Sequence, residues 1–409
     1  MSAGGPPALV PVEQHLAEAL AAIGPVQPAR LPLEAAEGGV LAADVTAGTP
    51  LPSFDNSAMD GYAVQAADLA AASGDNPVRL PVRGEIAAGD TASYRVEQGS
   101  CLRIMTGALL PGGADAVVPV EWTDGGLDLA AFRRPVAAGN ALRRRGDDVA
   151  IGTTLLTAGT RLGATALALL AAAGQGEVLA RPRPRVAVVS TGDELAEPGT
   201  PLVPGRIWES NSFMLAAAAR AAGAVAQRRR LPDDPGAVLS TLEMLLPDAD
   251  LLITSGGVSM GGEHDVVKAA LSKLGTVTFR KVAMQPGMPQ GFGTLGPEHT
   301  PLFTLPGNPV SAYISFLLFV TPALGQLQDL PAERPQVLTA ALTEPVRSPE
   351  GRRSYLRGVL DRARQAVVPF TGQSSHQLGA LARANALIIV PEQITRLEAG
   401  TGVDVMCLP

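Results

Sequence analysis

Cysteine, histidine, aromatic side chains and charge are all scarce in this chain, and each shortage closes off a class of function. Its 409 residues hold 2 cysteines and 4 histidines. Cys101 and Cys407 make neither a CxxC pair nor a His/Cys metal pattern, so no zinc site is expected and a reducing compartment is. Aromatics reach 4% and charged residues 17%, with a formal net charge of −7, which argues against a nucleic-acid partner. The basic clusters Arg143–Arg145 and Arg228–Arg230 are short and read as solvated faces or strand ends. No apolar run reaches membrane-spanning length: the longest, Ala312 to Val320, contains Tyr313 and Ser315 and stops at Pro322. The opening stretch, MSAGGPPALVPVEQ, has no basic n-region or apolar h-region. The expectation is a soluble cytoplasmic protein with no membrane partner.

What is present describes an ordinary globular chain with ample core. Hydrophobic residues make up 46%, and the 45 glycines and 35 prolines are spread among apolar runs, giving a turn-rich fold. The length suits two to four domains. Residues 1 to about 52 carry a helix pattern (Val12, Leu16, Ala19, Leu20, Ile23) and a Pro-rich exit. From about 53 to 139, short β-like runs (Gly99 to Met105, Asp115 to Val120) alternate with turns and suggest an all-β module. Thr165 to Ala173 reads as a helix.

From Arg185 the pattern is clearest. Strand 186–190, helix about 212–222, strand about 225–231, helix 236–246, strand 251–254 and helix 264–273 follow in order. A strand near 276–282, another at 302–305 and a helix from about 309 to 320 complete the series. Such alternation implies a parallel sheet with helices on both faces, whose ligands sit beyond the carboxyl ends of the strands. After about Leu330, β-like runs return (Val337 to Leu342, Tyr355 to Leu360, Ala386 to Pro391) and suggest a small barrel or sandwich.

Four polar loops follow the strands of the α/β region. LLITSGGVSMGGEHDVV (251–267) takes a buried strand into Ser255, Gly256, Gly257, Val258 and Ser259, then Gly261 and Gly262, before a helix begins. Glycines let backbone N–H groups approach a ligand, and a helix start favours anions, so the stretch makes a phosphate cradle with Asp265 placed to hold a metal. A tight turn capped by Ser259 or Asp265 shows the same pattern. The other loops are Ser190, Thr191, Gly192, Asp193, Glu194; Pro232, Asp233, Asp234, Pro235; and Thr304 through Ser311, which includes Pro306, Gly307, Asn308 and Pro309. Glu194, Asp233 and Asp265 thus fall on one sheet edge, and carboxylates without His or Cys suit a hard cation such as Mg²⁺. Mg²⁺ beside a phosphate cradle implies phosphoryl or nucleotidyl chemistry. Taken singly, Asp233 reads equally as an N-cap before Pro235, and Glu194 as the cap of the next segment.

Six motifs, in order along nearly the whole chain, resemble the molybdopterin molybdenumtransferase family, the enzymes that insert molybdate in the last step of molybdenum cofactor synthesis. They are FDNSAMDGYAV (54–64), RIMTGA (103–108), STGDEL (190–195), DDP (233–235), SGGVSMG (255–261) and LPGNPVS (305–311). The gephyrin E domain is a eukaryotic relative. The resemblance implies four domains: an elongated discontinuous one (1–52 and 140–180), a β-rich one (53–139), a three-layer molybdopterin-binding α/β domain around a parallel sheet (181–328), and a C-terminal β-barrel (329–409). It implies a homodimer whose active site is shared between subunits. The substrates would be adenylylated molybdopterin and molybdate, with Mg²⁺ as cofactor and AMP as a product. Further partners would be the adenylyltransferase that supplies the substrate and the apo-molybdoenzymes that receive the cofactor.

Carried over residue by residue, the resemblance puts Glu194, Asp233 and Asp265 around Mg²⁺ and the pyrophosphate, with Asp60 and Thr106 facing that site from a second copy. Ser190, Thr191 and Gly192, the loop from Ser255 to Ser259 and the Pro306–Pro309 loop would hold pterin and phosphates. Lys281 matches a cleft lysine. Arg352, Ser311 and Ser374 or Ser375 would sit near the oxyanion. There are two departures. Where the family usually shows KPGKP this chain has Gln285, Pro286, Gly287, Met288 and Pro289, so both lysines are absent, and an extra glycine in Gly261–Gly262 shifts the register of Asp265. Losing two cations beside a dianion costs a few kcal/mol in a desolvated site. The missing lysines raise an alternative, a non-catalytic scaffold or carrier paralogue. The other rival, the adenylyltransferase, needs only about 150 residues and would leave the β modules unexplained. His264 reads as solvent-facing.

Overall fold

The computed structural model describes residues 9–257, 266–272, 274–331 and 335–408. Its contacts define two compact units. One comprises Met1–Arg30, Gly38–Ala42 and Leu179–Pro409; the other, Leu31–Glu37 and Ala43–Val178. This division does not separate 53–139 from the segment that follows it. The first helix, Val12–Ala21, inserts Val12 and Ala19 into the core of the α/β region.

That region runs β1 (Arg185–Thr191), α1 (Asn211–Ala221), β2 (Val225–Leu231), α2 (Pro235–Leu245), β3 (Leu251–Ser255), α3 (Val266–Ser272), β4 (Val277–Lys281), β5 (Pro289–Leu295), β6 (Thr300–Leu305) and α4 (from Pro309). The sheet order is β2-β1-β3-β6-β5-β4. Strands rich in Val, Ile and Leu and buried on both faces are what a covered parallel sheet requires. All five residues of β3 and all six of β6 are buried. Alternate positions feed separate cores. Val186, Val188, Ile253 and Phe303 pack with Leu215 of α1 and Ile314 and Phe319 of the last helix. Ala187, Val189, Leu252 and Leu302 pack with Val238 and Leu242 of α2 and Val267 and Leu271 of α3.

Two expectations for this region need correction. The sheet is mixed: β5 runs antiparallel to β6, with Phe292 opposite Phe303, and β4 runs antiparallel to β5. The sequence of β5, PQGFGTL, carries two glycines, which weaken strands in general. Here the glycine is required, since a Cβ on Gly293 would lie 2.1 Å from Thr276 O and 2.6 Å from Val277 Cα. The last helix also does not end at about 320. It continues from Pro309 through a π-helical turn at Phe316–Val320 to Leu327. Pro322 lies in the first turn after the wide segment, where Thr321 Oγ1 donates to Phe316 O at 3.4 Å. Among the described residues this 19-residue helix alone is long and apolar enough to cross a membrane, and most of it is buried in the protein core.

The C-terminal strands β7 (Val337–Leu342), β8 (Arg353–Asp361), β9 (Ala366–Pro369), β10 (Ala386–Val390) and β11 (Gly402–Cys407) close on themselves in the order β8-β9-β7-β11-β10 and back to β8. The ring encloses Leu342, Leu356, Val367, Ile388 and Val405. In the second unit, a five-stranded sheet runs in the order Ala116–Pro119, Gly61–Val64, Cys101–Ile104, Val78–Ile86 and Leu129–Phe132. Tyr62 and Phe132 meet edge to face in its core, at 5.6 Å.

The first helix brings a titratable group into the α/β core. His15 is buried with its ring edge-on to Phe319 at 4.8 Å, and among the described residues its Nε2 has no hydrogen-bond partner. Burial, then the nearby Arg280 guanidinium, pushes its pKa down to about 4, against a smaller opposing pull from Glu18. The unfolded chain therefore takes up this proton first. Stability is complete above the unfolded value near 6.5 and is lost as pH falls from there towards 4. Urea unfolding should show the wild type losing about 3 kcal/mol more than His15→Phe between pH 7 and pH 4.

Candidate active site

The carboxyl ends of β1, β3 and β6 open into a cleft of about 620 Å³. Parallel register sets its floor: Ser190 of β1 pairs with Ser255 of β3, which pairs with Leu305 of β6. The loops leaving these strands therefore start at one level. Ser190, Thr191, Gly192, Glu194, Asp233, Ser255, Gly256, Gly257, Gly307, Asn308 and Pro309 all line the cleft.

Ser190 and Thr191 are almost wholly buried, yet among the described residues neither hydroxyl has a hydrogen-bond partner. Buried polar groups are nearly always paired, so two orphaned hydroxyls on a cleft floor suit a polar ligand. Gly256 has φ +99°, and a Cβ there would stand 2.8 Å from Thr191 O, so only glycine lets the two loops meet. Asn211, the first residue of α1, ties the cradle together. Its Nδ2 donates to Ser255 Oγ at 2.9 Å and to Gly307 O at 2.6 Å.

The acidic residues divide between structure and site. Asp234 is the N-cap of α2, its Oδ1 accepting from Ala237 N at 2.6 Å. Asp233 is thereby free of that duty and faces the cleft. It is tied to the β1 loop by reciprocal bonds, Asp193 N to Asp233 Oδ2 at 3.3 Å and Asp233 N to Asp193 Oδ1 at 3.1 Å. Glu194 and Asp233 therefore share one wall. Among the described residues no three His, Cys, Asp or Glu side chains gather as a metal cluster. Asp265, Ser259, Val258, Gly261, Gly262 and His264 lie outside the described residues.

Other expected site residues are not on this cleft wall. Pro306 contributes only its carbonyl, which accepts from Ser255 Oγ at 3.4 Å. Ser311 is buried in α4, its carbonyl accepting from Ser315 Oγ. Lys281 ends the edge strand β4. Arg352 donates to Gln285 Oε1 at 3.3 Å, so one of the two positions that lack the family lysine holds a partner for this arginine. Ser374 and Ser375 flank the cleft: Ser375 O accepts from Val310 N at 3.1 Å, and the next residue, His376, is the one that lines it. In the second unit, Asp60 and Thr106 are joined. Thr106 N and Oγ1 both donate to Asp60 Oδ1 at 2.7 Å, and these bonds hold the Asp60 carboxyl below its ordinary pKa.

Comparison with known proteins decides what this arrangement belongs to. Residues 10–174 match the MoeA N-terminal region (domain I and II), 187–326 the probable molybdopterin binding domain, and 339–408 the MoeA C-terminal region (domain IV). Molybdopterin molybdenumtransferase 2 of Mycobacterium tuberculosis is 47% identical over 405 residues, covering 96% of this chain and 98% of the relative. The chain belongs to the molybdopterin molybdenumtransferase family. It is accordingly a transferase of molybdenum cofactor biosynthesis. The Haemophilus influenzae molybdopterin molybdenumtransferase is 36% identical, with 93% of this chain and 94% of that one covered. The crystal structure of the molybdopterin biosynthesis moeA protein from Pyrococcus horikoshii OT3 superposes with a TM-score of 0.71 at 29% identity, over 98% and 100% of the two chains.

Several residues that shape this MoeA-family cleft were not singled out from sequence. Glu209, buried, caps α1 by accepting from Ser212 N at 2.7 Å and Ser212 Oγ at 2.6 Å. Arg228 stands 3.6 Å from Glu209 and stacks over Phe213 at 3.4 Å, so this part of the basic cluster is structural. Arg357 is fully buried and holds the loop that carries His376, donating to Gly372 O, Gln377 O and Gln373 Oε1 at 3.0–3.3 Å. Burial lowers its pKa. WESNS at 208–212 was the legible signal, a polar run just before a helix. Asn211→Ala should cost about 1–2 kcal/mol in chemical unfolding and speed amide exchange in 254–257 and 306–309, because both loops lose a shared donor.

Proposed function

We propose that this enzyme inserts molybdate into adenylylated molybdopterin with release of AMP, in a reaction that requires Mg²⁺. The observation that carries the reading is the cleft floor: two buried hydroxyls, Ser190 and Thr191, without partners among the described residues, beside the Gly256 loop and the carboxylates of Glu194 and Asp233. Hydroxyl and backbone N–H donors in that arrangement suit phosphate oxygens. Glu194 and Asp233 offer only oxygen ligands, which fits Mg²⁺, an ion commonly held by one or two carboxylates together with substrate phosphates. When bound, that ion would neutralise charge on the pyrophosphate.

The chain's own groups then have distinct tasks. The Ser255–Gly257 and Gly307–Pro309 loops fix the phosphates, and Asn211 keeps the two loops together. Breaking the pyrophosphate P–O bond needs an incoming oxygen, from water or molybdate, while AMP leaves with the displaced electron pair. Lys281 and Arg352 are the cations assigned to the developing and incoming negative charge. Gln285 acts through Arg352, whose guanidinium it receives.

AMP release should require both molybdate and Mg²⁺, followed with purified protein and adenylylated molybdopterin. Glu194→Gln and Asp233→Asn should each lower the rate by roughly a hundredfold or more, the scale of losing one charged group from a preorganised site. Release that ignores molybdate would overturn the assignment.

The shared-site homodimer is part of the same proposal, with Asp60 and Thr106 supplied by a second copy. Mixing inactive Asp60→Ala protein with inactive Glu194→Gln protein should then restore partial activity, because a mixed dimer assembles one intact site. Failure to complement after subunit exchange is demonstrated would rule out the sharing.

A further inference from the structure

The cleft lining is chemically mixed. It includes the polar cradle of Ser190, Thr191 and the Ser255–Gly257 loop, together with Ile207, Trp208 and Leu378. Trp208 is 52% exposed and Ile207 57% exposed. Large apolar side chains left open to water beside a polar cradle mark a ligand-binding face.

The indole is exposed, but its orientation is fixed. Its Nε1–H donates to Thr200 O at 3.1 Å, so its one polar group is satisfied within the chain and the ring has only its faces and edges to offer. The backbone around it is held as well. Ile207–Trp208 forms a short parallel ribbon with Leu195–Ala196, Ala196 pairing with Trp208. Ile207 N donates to Glu194 O at 2.8 Å, and Glu209 N donates to Ala196 O at 2.9 Å. The ribbon thus couples the position of the indole to Glu194, one of the carboxylates that line the cleft. A preorganised aromatic face costs little ordering entropy on binding.

We propose that Trp208 is a stacking platform for a planar heterocycle of the ligand whose phosphates meet the Ser190, Thr191 and Ser255–Gly257 groups of the same cleft. The inference rests on reading the cleft as the adenylylated molybdopterin site. That substrate carries two flat ring systems, adenine and pterin, and either would meet the indole by the same π-face chemistry.

The chain contains 2 tryptophans. The other, Trp122, lies in the second unit beneath the Arg134 guanidinium at 3.1 Å. A Trp122→Phe background therefore makes indole emission a report on Trp208 alone. Affinity for adenylylated molybdopterin should fall by roughly tenfold or more in Trp208→Ala and stay close to wild type in Trp208→Phe, which keeps a π-face. Melting temperature should be unchanged in both variants, since the side chain is exposed. Saturable quenching by AMP alone assigns adenine to the platform. If AMP leaves the emission unchanged while Trp208→Ala still weakens the full substrate, the pterin ring is assigned instead. Equal substrate affinity in wild type, Trp208→Phe and Trp208→Ala would overturn the platform and leave the cleft assignment standing. No substrate binding to the wild type would overturn both.

Discussion

Everything in the cleft depends on the register of three parallel strands. Ser190, Ser255 and Leu305 lie in one hydrogen-bonded row, and the loops they release can converge only because the row is level. That register is held by apolar burial on both faces of β1, β3 and β6. A slip of one residue would exchange the two cores, sending Val188 and Ile253 to the α2–α3 side and Val189 and Leu252 to the other. Sheet packing and site geometry are therefore one constraint.

The polar groups around the cleft divide into those that fix loops and those left available. Asp234, Glu209, Asn211 and Arg357 spend their hydrogen-bonding capacity on backbone and neighbouring side chains. Ser190 and Thr191 do not. Neighbouring aspartates illustrate the division: one caps a helix, which leaves the other on the cleft wall. The first group carries the energetic cost of ordering the loops before any ligand arrives.

The sequence was most legible where pattern and burial agree. Val186–Val189 and Leu251–Ile253 announce buried strands, and the strands of the closing barrel at Val337–Leu342 and Ala386–Val390 show as β-like runs. The loops that line the cleft were legible because glycine, serine and proline cluster where strands end. Legibility failed where tertiary packing overrode local preference. Glycine in β5 permits backbone approach across the sheet, and Pro322 is accommodated after a π turn. Asn211, Glu209 and Arg357 were missed because their partners, such as Gly307 for Asn211, are distant in sequence or typical of any surface loop. The first helix was legible as a helix, but its docking on the α/β core required contacts that no local pattern encodes.

The outermost strand β2 carries Arg228, Arg229 and Arg230 in succession, on the exposed margin of the six-stranded sheet. An unpaired margin is a template on which another chain can add a strand. Arg228 is neutralised by Glu209, but Arg229 and Arg230 are exposed, and charged side chains on an edge strand disfavour such addition. The C-terminal barrel meets the same hazard by closing its ring. The two exposed arginines thus give this sheet edge a local guard of charge that the net charge of the chain does not describe.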